Sequence, residues 1–289
     1  MIISAGSKTF LVGEYAVLFG GSAIILVTSP SFKLKTKKGK TNLVGIKENS
    51  PAHRFYASHD FSNLSIEFYD PHGECGGLGA SSAQFAMLYK LYLKLTRQKF
   101  DENLFISEYR RNSWSNVGIP PSGADCIAQY FDHHIIFDAK LNSAKKLVWN
   151  FPGLDFAVFK TDRKVNTHLH LQELGSIDVK KLQDMSLNVE KSFRHSDGEL
   201  LIRSVQDFFS LLQEKNLVID QTIKTVDELL KIEGVKAAKG CGALCADTIL
   251  VIFEKQKRDT LFDHDLKALG LRNINNHSAF SENSHGADT

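Results

Sequence analysis

Glycines and serines are concentrated in one stretch of the first half of the chain, residues 73–83 (GECGGLGASSA), directly before an apolar helical pattern. Glycine lets backbone N–H groups approach a bound group closely, and a helix start adds free N–H groups and the positive end of its dipole. This combination predicts an anion site, most often for phosphate. An ordinary glycine-rich turn with a serine N-cap explains the same residues equally well.

Two charged residues elsewhere in the chain would complement such a site. Lys8 begins an apolar run that predicts a buried strand, where a lysine is usually a surface residue unless an anion lies nearby. Asp125 follows a turn rich in proline and glycine and heads a helical run, where an N-cap is the ordinary role of aspartate. A phosphate cradle, a cation and a carboxylate together suit phosphoryl transfer.

The composition restricts the class of protein. The chain has 289 residues, 43% of them hydrophobic and 24% charged, which is typical of a soluble globular protein with one large or two medium domains. A net charge of +2 argues against nucleic acid or an acidic membrane surface as the partner. No apolar run reaches membrane-spanning length, and no basic signal-peptide region precedes residue 5. Four cysteines without a disulfide framework favour reduced thiols in a cytoplasmic protein.

Several well-known signatures are absent from the sequence. It contains no GxxxxGK[ST] phosphate loop, no GxGxxG dinucleotide fingerprint, no HRD and DFG kinase pair and no GxSxG nucleophile elbow. The pair His168 and His170 could share one face of a strand, but isolated polar histidines explain it better than a metal site. The motif set therefore favours phosphoryl transfer outside the P-loop and protein-kinase classes.

The hydrophobic pattern predicts an α+β fold. Residues 39–63 are expected to form a loop, residues 234–247 a second glycine-rich element, and the tail from residue 272 to be loosely held. Strands are predicted at 23–27, 31–37, 64–69, 134–137, 146–151, 155–160 and 249–253, and helices at 81–96, 101–112, 177–194, 197–214, 219–233 and 259–269.

Four segments, in this order, resemble the motifs of the GHMP kinase superfamily. Residues 8–18 resemble its N-terminal GK-x-x-L-x-GE-x-AV pattern, with Ser7 where glycine is usual. Residues 77–83 (GLGASSA) resemble its GLGSSA phosphate loop, and residues 121–125 (PSGAD) resemble the PSG-x-D segment that carries the catalytic aspartate in the mevalonate branch. Residues 239–247 (KGCGALCAD) resemble its C-terminal glycine-rich loop.

The resemblance implies a two-domain fold, with a domain like ribosomal protein S5 domain 2 at residues 1–152 and a ferredoxin-like domain at 153–289. It implies ATP and Mg²⁺ as cofactors, with Asp125 and Lys8 catalytic and Ser81 on the metal. It also implies a small-molecule phosphoryl acceptor and a monomer or homodimer. The implied ATP contacts are Gly76, Gly77, Leu78, Gly79, Ala80, Ser81 and Ser82, and the implied substrate contacts are Glu14, Tyr15, Ser122, Gly123, Lys164, His168, Gly242 and Ala243.

The member of the superfamily is predicted from smaller features. Tyr15, where the Gly-Glu-His variant has histidine, and the basic segment 161–168 favour phosphomevalonate kinase, although a solvated basic loop also explains the segment. Trp114 stands where mevalonate kinases carry a magnesium-binding glutamate. Mevalonate kinase, diphosphomevalonate decarboxylase, another small-molecule kinase of this fold, and a nucleotide-binding regulatory protein that has lost catalysis remain alternatives.

Overall fold

The computed structural model describes residues 1–73, 76–161, 179–242, 245–262, 269 and 271–276. Its helices are α1 (Pro51–Ser58), α2 (Ala80–Thr96), α3 (Glu102–Ser113), α4 (Ala124–Phe131), α5 (Val179–His195), α6 (Gly198–Glu214) and α7 (Asp220–Leu230), with short helical turns at Ala16–Phe19, Lys255–Lys257 and Arg258–Thr260. Its strands are β1 (Ile2–Val12), β2 (Ser22–Lys38), β3 (Asn42–Val44), β4 (Leu64–Tyr69), β5 (Ile135–Asp138), β6 (Ser143–Lys146), β7 (Leu154–Lys160), β8 (Val235–Cys241), β9 (Thr248–Glu254) and β10 (Arg272–Asn276).

The first sheet is built around β2, which pairs antiparallel with β1 along one edge and with β4 and β5 along the other. Strand β3 is added parallel to β4, and β6 antiparallel to β5. Residues 23–28 of β2 are all buried, and helices α2, α4 and α5 pack on this strand. Residues 33–37 alternate between exposed lysines and buried side chains, as a half-covered sheet requires.

The second sheet has the order β10-β7-β9-β8, and every pairing is antiparallel. Helices α6 and α7 pack on β8. The architecture is the mixed α+β arrangement predicted from the sequence, with two sheets whose strands lie before and after residue 150. Of the helices that the structure describes, none has the length and apolar content needed to cross a bilayer.

The helix starts fall into two groups. Helices α1, α3 and α6 are capped by side chains, because Ser50, Asp101 and Asp197 each accept a hydrogen bond from a backbone N–H in the first turn. Helices α2 and α4 instead begin after glycines, Gly79 and Gly123, in the left-handed conformation and without a side-chain cap. The first N–H groups of α2 therefore have no capping side chain over them. In α4 the Ala124 N–H donates to Ser122 Oγ at 3.3 Å and the Cys126 N–H donates to Asp125 Oδ1 at 2.9 Å.

Several boundaries differ from the sequence-based prediction. The predicted loop 39–63 contains β3 and α1, because Ser50 and Pro51 start a helix whose Phe55 is fully buried. The strand predicted at 146–151 lies at 143–146, because its hairpin with β5 pairs Asp138 with Ser143.

Three further corrections concern strands. The strands predicted at 23–27 and 31–37 are parts of one strand, β2. Residues 235–241, predicted as glycine-rich loop, form β8, because their small side chains fit a buried strand that pairs with β9 at the edge of the sheet. Residues 272–276, predicted to be loosely held, pair with β7. The helix predicted at 259–269 lies partly outside the described residues, which show helical turns over 258–262.

Candidate active site

A cleft of about 1050 Å³ opens where the end of β1, the starts of α2 and α4 and the end of β8 meet. Its volume is at the upper end of the range usual for ligand sites. Lys164, His168 and Ala243 lie outside the described residues. The other predicted site residues that line the cleft are Lys8, Glu14, Tyr15, Gly76, Gly77, Gly79, Ala80, Ser81, Ser82, Ser122, Gly123, Asp125 and Gly242.

The glycine-rich loop is docked directly on the strand that carries Lys8. The Lys8 N–H donates to the Leu78 carbonyl at 2.9 Å, and the Leu78 side chain is fully buried in the core, so it does not line the cleft. Gly79 has φ +89, and a Cβ at this position would lie 2.7 Å from Lys8 Cγ and 2.9 Å from Gln129 Nε2. Glycine is therefore required both for the backbone conformation and for the close approach of Lys8.

The two serines at the start of α2 have different environments. Ser81 is exposed and lines the cleft. The hydroxyl of Ser82 is buried and donates to the Gly79 carbonyl at 3.0 Å and to Gln129 Oε1 at 2.6 Å. Gln129 in turn donates to the Gly6 carbonyl at 2.8 Å, so it connects α2, α4 and β1. Of the two hydroxyls, that of Ser81 is the one placed for a ligand.

Asp125 is held by the turn before α4. Gly123 has φ +80 and lies against Ile106, where a Cβ would come within 2.6 Å of Ile106 Cδ1. Arg110 donates to the carbonyls of Pro121 and Ser122 at 3.1 and 3.3 Å. The Asp125 carboxylate accepts the Cys126 N–H at 2.9 Å through Oδ1. These contacts orient the carboxylate at the edge of the cleft.

Lys8 and Asp125 act electrostatically on one common group, the buried thiol of Cys126. Burial raises the pKa of this thiol well above its ordinary value. The charge of Asp125 raises that pKa further, whereas the charge of Lys8 lowers it. The two charges are thus close enough to the same atom to have opposite effects on it.

A second lysine and carboxylate meet at the same cleft, between the two sheets. Lys239 in β8 is fully buried, and its Nζ donates to Glu14 Oε1 at 2.6 Å and to the Phe10 carbonyl at 3.3 Å. Burial acts to lower the pKa of the Lys239 ammonium, but the negative groups at Cys241 and Glu14 outweigh it and raise the pKa above its ordinary value. Lys239 was not predicted as a site residue, although a lysine within a run of small apolar residues signals a buried charge in need of a partner.

Other lining residues were also missed. They add two carboxylates, a cation and several polar or apolar groups to the cleft wall. Of these, Asp247 lies against both glycine loops, because its side chain occupies the space that a Cβ on Gly77 or Gly242 would need. The further lining residues include Lys47, Asp70, Gln84, Tyr109, Cys241 and Asp247.

The residues present fit a magnesium ion that arrives with a nucleotide. Within the described parts of the chain, no group of three or more His, Cys, Asp or Glu could hold a metal alone. Trp114 ends α3 and is not among the described residues that line the cleft. Mg²⁺ is usually held by one or two carboxylates together with water and substrate phosphates, and Ser81 and the cleft carboxylates are of this type.

Comparison with solved structures places this architecture among known folds. Phosphomevalonate kinase from Streptococcus pneumoniae in complex with phosphomevalonate and AMPPNP matches with a TM-score of 0.79 and 16% identity over 96% of this chain and 99% of that one. Mevalonate kinase from Methanococcus jannaschii matches with a TM-score of 0.75 and 16% identity over 96% and 98%. Galactokinase from Lactococcus lactis with galactose matches with a TM-score of 0.76 and 10% identity over 96% and 92%.

These likenesses establish the fold. The chain has the two-domain fold of the GHMP kinases, as the resemblance of its motifs implied. No protein-family model matches the chain, and its sequence matches no curated protein. At 10–16% identity, structural neighbours of different acceptor specificity match about equally well, so the activity has to be argued from the cleft.

Proposed function

We propose that this protein is an ATP-dependent phosphotransferase of the mevalonate pathway and that phosphomevalonate is its acceptor. One observation carries the proposal: Lys8 and Asp125 line the same cleft as the start of α2, which has no side-chain cap. A cation, a carboxylate and a helix start that can receive phosphate are the groups that phosphoryl transfer needs in one place.

The nucleotide phosphates would bind at the loop 76–79 and at the first N–H groups of α2. The left-handed Gly79 directs these groups toward the cleft without a competing cap. Ser81 would contact Mg²⁺, which would neutralise charge on the phosphate oxygens when bound. The N-terminal dipole of the 17-residue helix α2 favours the same anion.

Asp125 would orient the attacking group of the acceptor and would accept its proton where that group is a hydroxyl; a phosphate monoester is already largely ionised near pH 7 and needs only to be positioned. In phosphomevalonate this group is a phosphate oxygen, and in mevalonate it is a hydroxyl. Its oxygen forms a bond to the γ-phosphorus of ATP while the bond to ADP breaks. Lys8, whose backbone is fixed to the phosphate loop, would offset negative charge that develops between the two reactants.

Phosphomevalonate is the proposed acceptor because of Tyr15 and the basic segment 161–168 in the sequence, together with one structural neighbour. Tyr15 lines the cleft with Glu14, Ser122, Gly123 and Gly242, and a neighbour that matches over nearly the whole chain was solved with phosphomevalonate and AMPPNP. Substrate contacts by Lys164, His168 and Ala243 stay predictions.

The test is turnover with purified protein, ATP and Mg²⁺. Phosphomevalonate, mevalonate and galactose are compared by ADP release, and diphosphomevalonate by carbon dioxide release. We expect ADP release with phosphomevalonate and a loss of about 10²–10⁴-fold in kcat in Asp125→Asn. Turnover with mevalonate alone would show that mevalonate is the acceptor. Carbon dioxide release would show that the reaction is the decarboxylation of diphosphomevalonate. ATP binding by calorimetry without turnover of any substrate would indicate a regulatory nucleotide-binding protein.

A further inference from the structure

Lys239 and Glu14 form an ion pair between parts of the chain that lie 225 residues apart. Glu14 follows β1 of the first sheet, and Lys239 lies in β8 of the second. Among the ion pairs that the structure describes, this one joins the region of the first sheet to that of the second. It lies at the cleft, because Glu14 is a lining residue.

Stability alone does not explain a lysine at this position. The Lys239 side chain is 0% exposed and is surrounded by the Glu14 carboxylate, the Phe10 carbonyl, the Cys241 sulfur and the face of the Phe208 ring. Removing two charges from water costs about as much as their attraction returns, so an apolar pair of the same volume is often as stable or more stable. The pair therefore has to be explained by what it holds in place.

The carboxylate of Glu14 is only half used by this contact. Oε1 accepts the Lys239 hydrogen bond at 2.6 Å. Oε2 is buried and has no hydrogen-bond partner among the described residues. A buried carboxylate oxygen without a donor is unfavourable, and a donor group on a bound ligand would relieve this cost.

We infer that Lys239 is a positioning residue that holds Glu14 so that its Oε2 accepts a hydrogen bond from a non-reacting hydroxyl of the acceptor. The inference rests on the proposed function. A carboxylate at this place favours a neutral donor and repels an anion, so the anionic groups of the acceptor bind elsewhere in the cleft. Lys239 itself does not touch the acceptor and acts through Glu14.

The first test separates positioning from stability. Lys239→Met removes the ammonium and keeps much of the volume, and Leu250→Ala, at the paired position in β9, weakens the same sheet without removing a charge. We expect Lys239→Met to raise the acceptor KM about 10–100-fold, the usual loss for a hydrogen bond to a charged group, with the KM for ATP unchanged. Leu250→Ala should lower the Tm without changing the acceptor KM. A rise in acceptor KM that is equal in both variants would overturn the inference.

The second test remains decisive even if Lys239→Met does not fold. Glu14→Gln is compared with the double variant Glu14→Gln/Lys239→Met, in which no charge is left unpaired. Because Lys239 acts through Glu14, the two should have the same acceptor KM, whereas an independent role would multiply the effects. If the protein turns the acceptor over and the two substitutions raise the acceptor KM independently, this inference is wrong while the proposed function stands. Absence of turnover by the unmodified protein overturns it together with the proposed function.

Discussion

Lys8, Asp125 and Glu14 line the cleft, and Lys239 lies buried behind Glu14. The two lysines have opposite surroundings. Lys8 is half-buried at the phosphate loop, and Asp125 is held mainly by backbone groups beside it. Lys239 is completely buried and is bonded directly to Glu14. The comparison teaches that residue type does not decide the role: a partly hydrated charge is available to a substrate, whereas a buried and paired charge serves to fix its partner.

The largest expected contrast comes from the same substitution at both lysines. Lys8→Met should lower kcat about 10²–10³-fold, because one charge that stabilises the transition state is lost, and should change the free energy of unfolding by less than about 1 kcal/mol. Lys239→Met should lower the free energy of unfolding by about 3–5 kcal/mol, because Glu14 is left buried and unpaired. Initial rates measure the change in kcat, and urea unfolding measures the change in the free energy of unfolding. If the two variants lost kcat and stability to a similar extent, the proposed difference between the roles of Lys8 and Lys239 would be wrong.

A second contrast tests whether the phosphate loop depends on its contact with Lys8. Gly79 and Gly20 have similar positive φ angles, +89 and +82, but a Cβ on Gly79 meets Lys8 and Gln129 while one on Gly20 meets nothing within 4 Å. Alanine at either position should cost about 1–2 kcal/mol for the left-handed backbone. Gly79→Ala should cost about 1–3 kcal/mol more from crowding and should weaken ATP binding. Urea unfolding and calorimetry provide the comparison, and equal costs would contradict it.

The neighbouring serines offer a smaller contrast. Ser82→Ala should cost about 1 kcal/mol of stability, because Gln129 Oε1 loses its buried donor, with little change in the Mg²⁺ dependence of nucleotide binding. Ser81→Ala should leave stability unchanged and raise the Mg²⁺ concentration needed for ATP binding. Nucleotide titrations at several Mg²⁺ concentrations decide this, and the prediction fails if Ser82→Ala is the variant that shifts the Mg²⁺ requirement.

The smallest expected effect is a difference in pH response. Burial lowers the pKa of His72, against the opposing charge of Asp70, while its Nε2 lies 2.5 Å from Ser7 Oγ. The unfolded chain binds this proton at about pH 6.5 and the folded one only at lower pH, so stability is lost as the pH falls below that value. Urea unfolding between pH 5 and 8 should therefore show that the free energy of unfolding falls less with decreasing pH in His72→Gln than in the unmodified protein.

The buried pair should respond in the opposite pH range. The pKa of Lys239 is raised, so its contribution to stability is complete below the unfolded value of about 10.5 and is lost only as the pH rises through the folded value. Between pH 6 and 8 the stability difference between the unmodified protein and Glu14→Gln/Lys239→Met, which leaves no unpaired buried carboxylate to take up a proton, should therefore stay constant. A difference that changes across this range would show that another group titrates at the pair.

The part of the site nearest the phosphate loop could be predicted because its signals are local in sequence. The glycines and serines before α2, the turn before Asp125 and the apolar run after Lys8 each specify a conformation within a few residues. The fold class followed from the same periodicities and motif resemblances. The element ends were less accurate, as at 146–151, where pairing with β5 rather than local pattern sets the register.

The ion pair between Glu14 and Lys239 could not be predicted because its two residues are distant in sequence. Nothing near Lys239 indicates that its partner is Glu14, and the small residues around it resemble a loop until β9 is seen beside them. The same holds for Gln129, which links three elements. Such residues become visible only when the strands have been paired.

The separation between Glu14 and Lys239 also has a consequence for the order of events on the ribosome. At about 5–20 residues per second, synthesis of the 225 intervening residues takes roughly 10–45 s. Lys8 precedes Glu14, and the glycine-rich loop and Asp125 are made in the first half of that time, so all three are in the nascent chain before Lys239. The cleft is completed only after β8 leaves the exit tunnel, so its residues around the glycine-rich loop can assemble before the ion pair fixes Glu14.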